Sequence, residues 1–228
     1  MSVNLIFILK PIIIMNKKIF LVLLTAVLTA SYAQAQLTFG ARAGLNFTNV
    51  KMKMGGISAS PDMKVGIQLG VVGEYGLSEA FFIQPGIVFA QQGYKVDMFG
   101  ESATFNLNYI QIPVNAQYKV DLSGMKLLLQ AGPYLGYAVN GKVKAKVDGK
   151  KESEKIEFGD GGMKRFDFGL GIGAGLQFGN IQAGVGYNIG LANIASTDEF
   201  YDDDDFYSVK TKTHNNGIVL TVTYFFGK

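Results

Sequence analysis

The sequence predicts an all-β protein, an eight-stranded antiparallel up-and-down transmembrane β-barrel preceded by a cleaved signal peptide. Three observations lead there. Apolar side chains recur at every second position over eight separate stretches, which places them on one face of a strand. The intervening positions hold mostly glycine and glutamine with a few charges, so the second face is small and polar. The connections between stretches alternate between short and long. A soluble sheet turns one apolar face towards a core. A bulky apolar face on every strand, backed by a slim polar one, is the pattern of a barrel with lipid outside and a narrow lumen inside.

The clearest element is the hairpin Arg165–Gly190. Phe166, Phe168, Leu170, Ile172, Ala174, Leu176 and Phe178 alternate with Asp167, Gly169, Gly171, Gly173, Gly175 and Gln177. After the two-residue loop Gly179-Asn180, Ile181, Ala183, Val185, Tyr187 and Ile189 alternate with Gln182, Gly184, Gly186 and Asn188. These are the sixth and seventh strands. The first spans 38–47, with Phe39, Ala41, Ala43, Leu45 and Phe47 against Gly40, Arg42, Gly44 and Asn46. The second, 63–75, sets Val65, Ile67, Leu69, Val71 and Tyr75 against Lys64, Gly66, Gln68 and Glu74. The third, 81–92, sets Phe81, Ile83, Ile87 and Phe89 against Gln84, Gly86 and Gln92.

The fourth, 104–120, changes phase: Phe105, Leu107 and Tyr109 give way to Ile110, Ile112, Val114, Ala116 and Tyr118, which implies a β-bulge near Tyr109. The fifth, 126–139, sets Leu127, Leu129, Ala131, Leu135 and Tyr137 against Gln130, Gly132, Tyr134 and Gly136. The eighth, 217–226, sets Ile218, Leu220, Val222, Tyr224 and Phe226 against Thr221 and Thr223. Each is about the 9–11 residues a tilted strand needs to cross, or longer. Pro85, Pro113 and Pro133 each remove a ladder donor, and bulges or strand ends are expected to absorb them.

The connections 76–80, 121–125 and 179–180 are short, whereas 48–62, 93–103, 140–164 and 191–216 are long and polar. Short periplasmic turns and long external loops are the rule for outer-membrane barrels, so both termini are expected in the periplasm. Phe39, Tyr75, Phe81, Tyr118, Phe178, Tyr224 and Phe226 gather at the short-turn side, as an interfacial girdle requires. Tryptophan is absent.

Residues 1–35 read as a signal peptide and 36–228 as the barrel. Asn16-Lys17-Lys18 is a basic n-region, 19–30 an apolar h-region, and Ala33-Gln34-Ala35 a small-x-small cleavage site. Met15 opens a complete signal by itself, so 1–14 read as an upstream start. Lys10, Lys17 and Lys18, with no acid beside them in 1–35, account for the whole net charge of +3. Nothing in the charge balance of the mature chain invites nucleic acid. Cysteine is absent, which excludes disulfides and sulfur-based metal sites or nucleophiles.

Five charges fall on the lumen face: Arg42, Lys64, Glu74, Arg165 and Asp167. At low dielectric they must be paired or watered, and a structural charge network is the reading favoured over an ion path. The last long loop carries Asp202, Asp203, Asp204 and Asp205 between Phe200, Tyr201 and Phe206, Tyr207. The run lacks the glycine turn and spaced ligands of an EF-hand loop, so no metal is assigned, and the aromatics make these eight residues candidates for surface interaction. In 142–164, Lys144 and Lys146 alternate with Val143, Ala145 and Val147. This predicts a hairpin continuing above the membrane and turning at Asp148-Gly149. With Glu152, Glu154, Glu157 and Asp160 among its lysines it reads as a soluble mixed-charge extension, in preference to a surface attracting lipopolysaccharide phosphates. His214 is the single histidine, and Ser196, Thr197 and Ser208 stand near it without a motif that would make any of them a nucleophile. No phosphate loop or dinucleotide fingerprint is present, so neither an enzyme nor a cofactor is expected.

Several segments resemble the outer-membrane β-barrel domain family widespread in Bacteroidetes, known as porin-like or PorT-like. They are Phe82–Tyr94 (FIQPGIVFAQQGY), Asn108–Val114 (NYIQIPV), Ala131–Tyr137 (AGPYLGY), Phe166–Gly175 (FDFGLGIGAG) and Tyr187–Asn193 (YNIGLAN). Gln111 and Gly86 stand where members of that family often carry glutamate, so a lumen pair using those carboxylates is missing here. The resemblance implies an outer-membrane location, contact with outer-membrane lipid and lipopolysaccharide, and delivery by the barrel-assembly machinery through the aromatic C-terminal strand. It also implies envelope or secretion proteins as partners. Together the readings describe a monomeric barrel with a largely filled lumen and a structural, adhesive or surface-interaction role. One alternative is a component of a secretion or export system, or a narrow channel. Another is a soluble lipocalin-like carrier, which would need an apolar cavity and a polar exterior.

Overall fold

A computed structural model describes residues 37–54, 57–59, 61–98, 101–147, 150–159, 162–195 and 212–227. It contains ten strands: β1 (Leu37–Met54), β2 (Ile57–Ala59), β3 (Asp62–Gly76), β4 (Phe81–Met98), β5 (Glu101–Asp121), β6 (Lys126–Val147), β7 (Lys150–Lys155), β8 (Phe166–Phe178), β9 (Ile181–Gly190) and β10 (Lys212–Phe226). Eight of them form a closed antiparallel ring in the order β1-β3-β4-β5-β6-β8-β9-β10, and β10 pairs back onto β1. That closing seam runs from Phe39 opposite Phe226 to Lys53 opposite Lys212. A closed ring leaves no unpaired edge, the condition for placing strands in hydrocarbon. The two remaining strands pair only with one neighbour each, β2 with β1 and β7 with β6.

The period-two pattern sets the two faces. Val65, Ile67, Leu69 and Val71 of β3, Leu127, Leu129, Leu135 and Tyr137 of β6, and Phe166 to Phe178 at even positions of β8 point outward and are largely exposed. Ten residue steps separate Leu127 from Tyr137, about 33 Å along the strand and about 25 Å in height at a tilt near 40°, the usual height of a lipid-facing band. Phe39, Phe81, Tyr118, Phe178, Tyr224 and Phe226 are exposed at the short-turn end of that belt. Phe81 and Tyr118 sit 5.0 Å apart there, and Tyr224 and Phe226 5.6 Å apart. This polarity is the reverse of what a lipocalin-like carrier requires.

The β8–β9 hairpin has the predicted bounds, and Gly179 opens its loop at φ +50°, a conformation glycine adopts without strain. Elsewhere the strands run further than hydrophobic alternation alone indicates. The connection expected at 93–103 is largely strand, with Lys95 opposite Thr104 and Met98 opposite Glu101. The stretch 140–147 continues β6 and pairs with β7, Val147 lying opposite Lys150, as the alternation in 143–147 implies; the turn expected at Asp148-Gly149 lies outside the described residues. The phase change expected as a bulge near Tyr109 is a different feature. β5 keeps one phase, with Leu107, Tyr109, Gln111, Gln117 and Lys119 all buried. The slip is on β6: Asn108 faces Asn140 while Tyr109 faces Ala138, so Val139 is the extra residue. The prolines cause neither strand ends nor slips. Pairing lapses beside each, between Val72–Gly86 and Tyr75–Ile83, between Pro85–Val114 and Val88–Gln111, and between Pro113–Tyr134 and Ala116–Ala131. It then resumes in the same register. The expected signal peptide, the acidic segment 200–207 and the residues Ser196, Thr197 and Ser208 lie outside the described residues.

Candidate functional site

The inward-facing residues make three layers. At the short-turn end a polar network crosses the lumen. Lys119 of β5 donates to the Glu74 carboxylate of β3 at 2.6 Å and to Gln177 Oε1 of β8 at 2.7 Å. Gln84 of β4 donates its amide to Glu74 at 3.2 Å and to Gln182 Oε1 of β9 at 3.1 Å. Its oxygen accepts from the Arg42 guanidinium of β1, whose Nε donates to Thr223 Oγ1 of β10 at 2.9 Å. The Lys119 ammonium also lies 4.3 Å from the centre of the Phe82 ring. Seven strands of the ring thus contribute to one group of buried side chains, and the charges inside it are compensated by charge and by amide dipoles.

The middle layer is a small cavity of about 60 Å³ lined by Gln68, Gln111, Gln130, Tyr134, Asn188 and Thr221. These polar groups line it beside Val88, Pro113, Pro133 and Val219, and it has room for a few waters rather than for a solute. Gln111 Nε2 is buried there with no hydrogen-bond partner among the described residues, the kind of donor that water satisfies. Gly169 makes this packing sterically feasible. A Cβ at that position would lie 2.7 Å from the Tyr134 ring and 2.1 Å from the Ile189 carbonyl oxygen, so only glycine lets the tyrosine lie across the lumen.

The long-loop end is closed by apolar packing. Val50, Tyr94, Leu107, Tyr109, Ala138, Ala192 and Ile194 form one buried cluster, with Met52, Val96, Phe105, Ile156, Phe158 and Met163 against it. Tyr94 and Phe105 stack at 4.4 Å. Below this cap sits Asp167, fully buried, whose Oδ2 accepts from Asn215 Nδ2 at 2.9 Å and from the Tyr134 hydroxyl at 3.5 Å. Asn215 also reaches the Tyr109 hydroxyl at 3.3 Å.

The five charges expected on the lumen face therefore occupy different places. Arg42 and Glu74 meet through Gln84, and Asp167 belongs to the separate group under the cap. Lys64 is buried on the inner face of β3, its ammonium 3.4 Å from the Val65 carbonyl. Arg165 does not join the interior: it donates to the Ala138 carbonyl at 2.9 Å and lies over Phe158 at 4.6 Å, beside the outward Tyr137. Lys119 is the residue that sequence reading missed. Its parity with Gln111 and Gln117 was the available signal, because Tyr118 between them carries the girdle. His214 lies opposite Lys51 on the closing seam. Among the described residues no three His, Cys, Asp or Glu side chains are grouped to hold a metal ion.

The family model for the outer membrane protein β-barrel domain matches residues 32–196. Among solved structures, neisserial surface protein A is similar at 16% identity, covering 82% of this chain and 97% of its own, with a TM-score of 0.41. The attachment invasion locus protein of Yersinia pestis is 17% identical over 82% of this chain and 98% of its own, with a TM-score of 0.36. A major outer membrane protein from Thermus thermophilus is 13% identical over 83% and 99%, with a TM-score of 0.40. No curated protein matches the sequence. With a closed eight-strand ring, an apolar belt and a family match over most of its length, the chain belongs to the outer membrane protein β-barrel domain family and is an outer-membrane β-barrel.

Proposed function

We propose that this barrel is a closed structural and surface-interaction protein of the outer membrane, a monomer without a catalytic or solute-conducting role. The observation that carries the reading is the lumen: among the described residues a polar network crosses one end, an apolar cluster closes the other, and a cavity of about 60 Å³ lies between. Eight strands leave room for little more than side chains. In this reading Arg42, Glu74 and Asp167 are structural, holding the wall together from inside. The short turns and both termini face the periplasm, and residues 1–35 are the signal that brings the chain there. The β-strand extensions, with the loop that bears Phe200, Tyr201, Asp202, Asp203, Asp204, Asp205, Phe206 and Tyr207, form the outward surface on which adhesion or envelope partners act. The segments quoted above favour the Bacteroidetes branch of the family, and with it envelope or export proteins as the partners to seek.

Conductance tests the closed lumen. The purified, heat-modifiable protein reconstituted in planar bilayers is expected to give no steady current step above the lipid baseline. Stable open channels of the kind wide diffusion porins show would contradict the closed reading and favour a transport role.

A further inference from the structure

Beyond the apolar belt, register sorts the charges of the β4–β7 ribbon by face. Lys142 and Lys144 of β6 point outward, whereas Val143 and Ala145 between them point inward. Lys155 of β7 lies directly opposite Lys142, and Ser153 opposite Lys144. On the other side Thr104 of β5 lies opposite Lys144, and Lys95 of β4 opposite Thr104. Directly paired residues share a face, so Lys95, Lys142, Lys144 and Lys155 share one outward surface four strands wide, about 14 Å across. Glu152 and Glu154 fall opposite Ala145 and Val143, on the other face of the ribbon. Asp62 lies opposite Lys95 and borders the basic face, and Asp97 follows Lys95 by two positions on β4. None of the four ammonium groups is ion-paired among the described residues.

Like charges directly opposite each other destabilise a sheet, so the Lys142–Lys155 pair is a local cost that a bound anion would offset. The position of the face selects the anion. On β6 the outward row runs Leu135, Tyr137, Val139, Asn140 and then Lys142. Three residue steps beyond Val139 are about 10 Å along the strand and about 8 Å in height, the depth of the headgroup layer. Lysine stems lie along apolar surface while their heads reach the polar layer. Resting on the reading of an outer-membrane barrel with its long loops outward, we propose that Lys95, Lys142, Lys144 and Lys155 bind the phosphate groups of a phosphorylated glycolipid headgroup in the surrounding leaflet.

The test uses the full barrel folded in detergent, with fluorescent lipopolysaccharide in mixed micelles as the probe and its dephosphorylated form as the comparison. Wild type is expected to bind the phosphorylated form at least tenfold more tightly, with affinity falling steeply as salt rises. Lys142→Gln/Lys144→Gln/Lys155→Gln is expected to remove that preference and flatten the salt dependence. Glu152→Gln/Glu154→Gln, on the opposite face, should leave both within about twofold. Inorganic pyrophosphate at millimolar concentration should not displace the lipid. Displacement would show a site for soluble anions and overturn the assignment. Equal binding of the two lipopolysaccharide forms by wild type, or unchanged binding by the triple lysine variant, would also overturn it while leaving the barrel intact. Failure of the wild-type protein to run as a heat-modifiable species would instead remove the barrel reading beneath it.

Discussion

Deleting Tyr224–Lys228 is expected to abolish assembly, leaving a protease-sensitive species without the faster-migrating unboiled band of a folded barrel. The reason is the closing seam. Tyr224 pairs with Ala41 on one side and Ile181 on the other, and Phe226 lies opposite Phe39. Phe225 between them is fully buried, its amide donating to the Asn180 carbonyl at 2.8 Å and its carbonyl accepting from Asn180 Nδ2 at 3.1 Å. Removing this end opens the ring where β1 enters the belt, and each backbone group left unpaired in hydrocarbon costs several kcal/mol. Deleting Phe200–Tyr207, in contrast, is expected to leave heat-modifiable assembly unchanged. Both outcomes are read from one gel of outer-membrane fractions. A C-terminal truncation that still inserts and shifts with heating would require a different seam.

Lys119→Met is expected to lower unfolding stability in vesicles by about 3–5 kcal/mol, the usual consequence of taking one partner from a buried ion pair. The substitution keeps most of the stem volume over the Phe82 ring but deprives the Glu74 carboxylate of its ammonium and Gln177 of a donor. Changing both members, Lys119→Met with Glu74→Met, should recover only part of the loss, since no unpaired carboxylate remains but the buried Arg42 guanidinium keeps only Gln84 and Thr223 as partners. Urea unfolding of the two variants beside wild type checks this. A Lys119→Met barrel as stable as wild type would show that the pair contributes nothing to closing the lumen.

How much of this was legible in the sequence depends on height in the membrane. Inside the belt, lipid demands an apolar exterior on every strand, so alternation gives the faces directly and the β8–β9 hairpin has the bounds it implies. Above the belt the demand reverses: water lies outside and the cap inside. Phe105, Leu107 and Tyr109 therefore turn inward on an unbroken β5, and the same apolar alternation looks like a slip of phase. The true slip, at Val139, is flanked by outward Tyr137 and Asn140 and leaves no comparable trace. For the same reason, the polar outer face of the β4–β5 extension reads as a loop, whereas Val143, Ala145 and Val147 alternating with lysines reveal the β6–β7 pairing. In the lumen, parity says that Arg42, Glu74 and Gln84 face inward but not that Gln84 joins the other two, because contacts across a barrel depend on strand tilt and stagger. Lys119 was hidden by its neighbour, a girdle tyrosine on the opposite face.

The central claim is that the eight-strand ring stands in lipid with its bulky face outward and its lumen closed. Because the chain lacks cysteine, single nitroxide labels can be placed along β10 from Ile218 to Tyr224, a stretch free of glycine, and their collision rates with oxygen and with a water-soluble nickel complex measured in bilayers. The account predicts oxygen maxima at Ile218, Leu220, Val222 and Tyr224, with low access to either reagent at Val219, Thr221 and Thr223. Maxima in the opposite phase, or nickel access at every position, would contradict it.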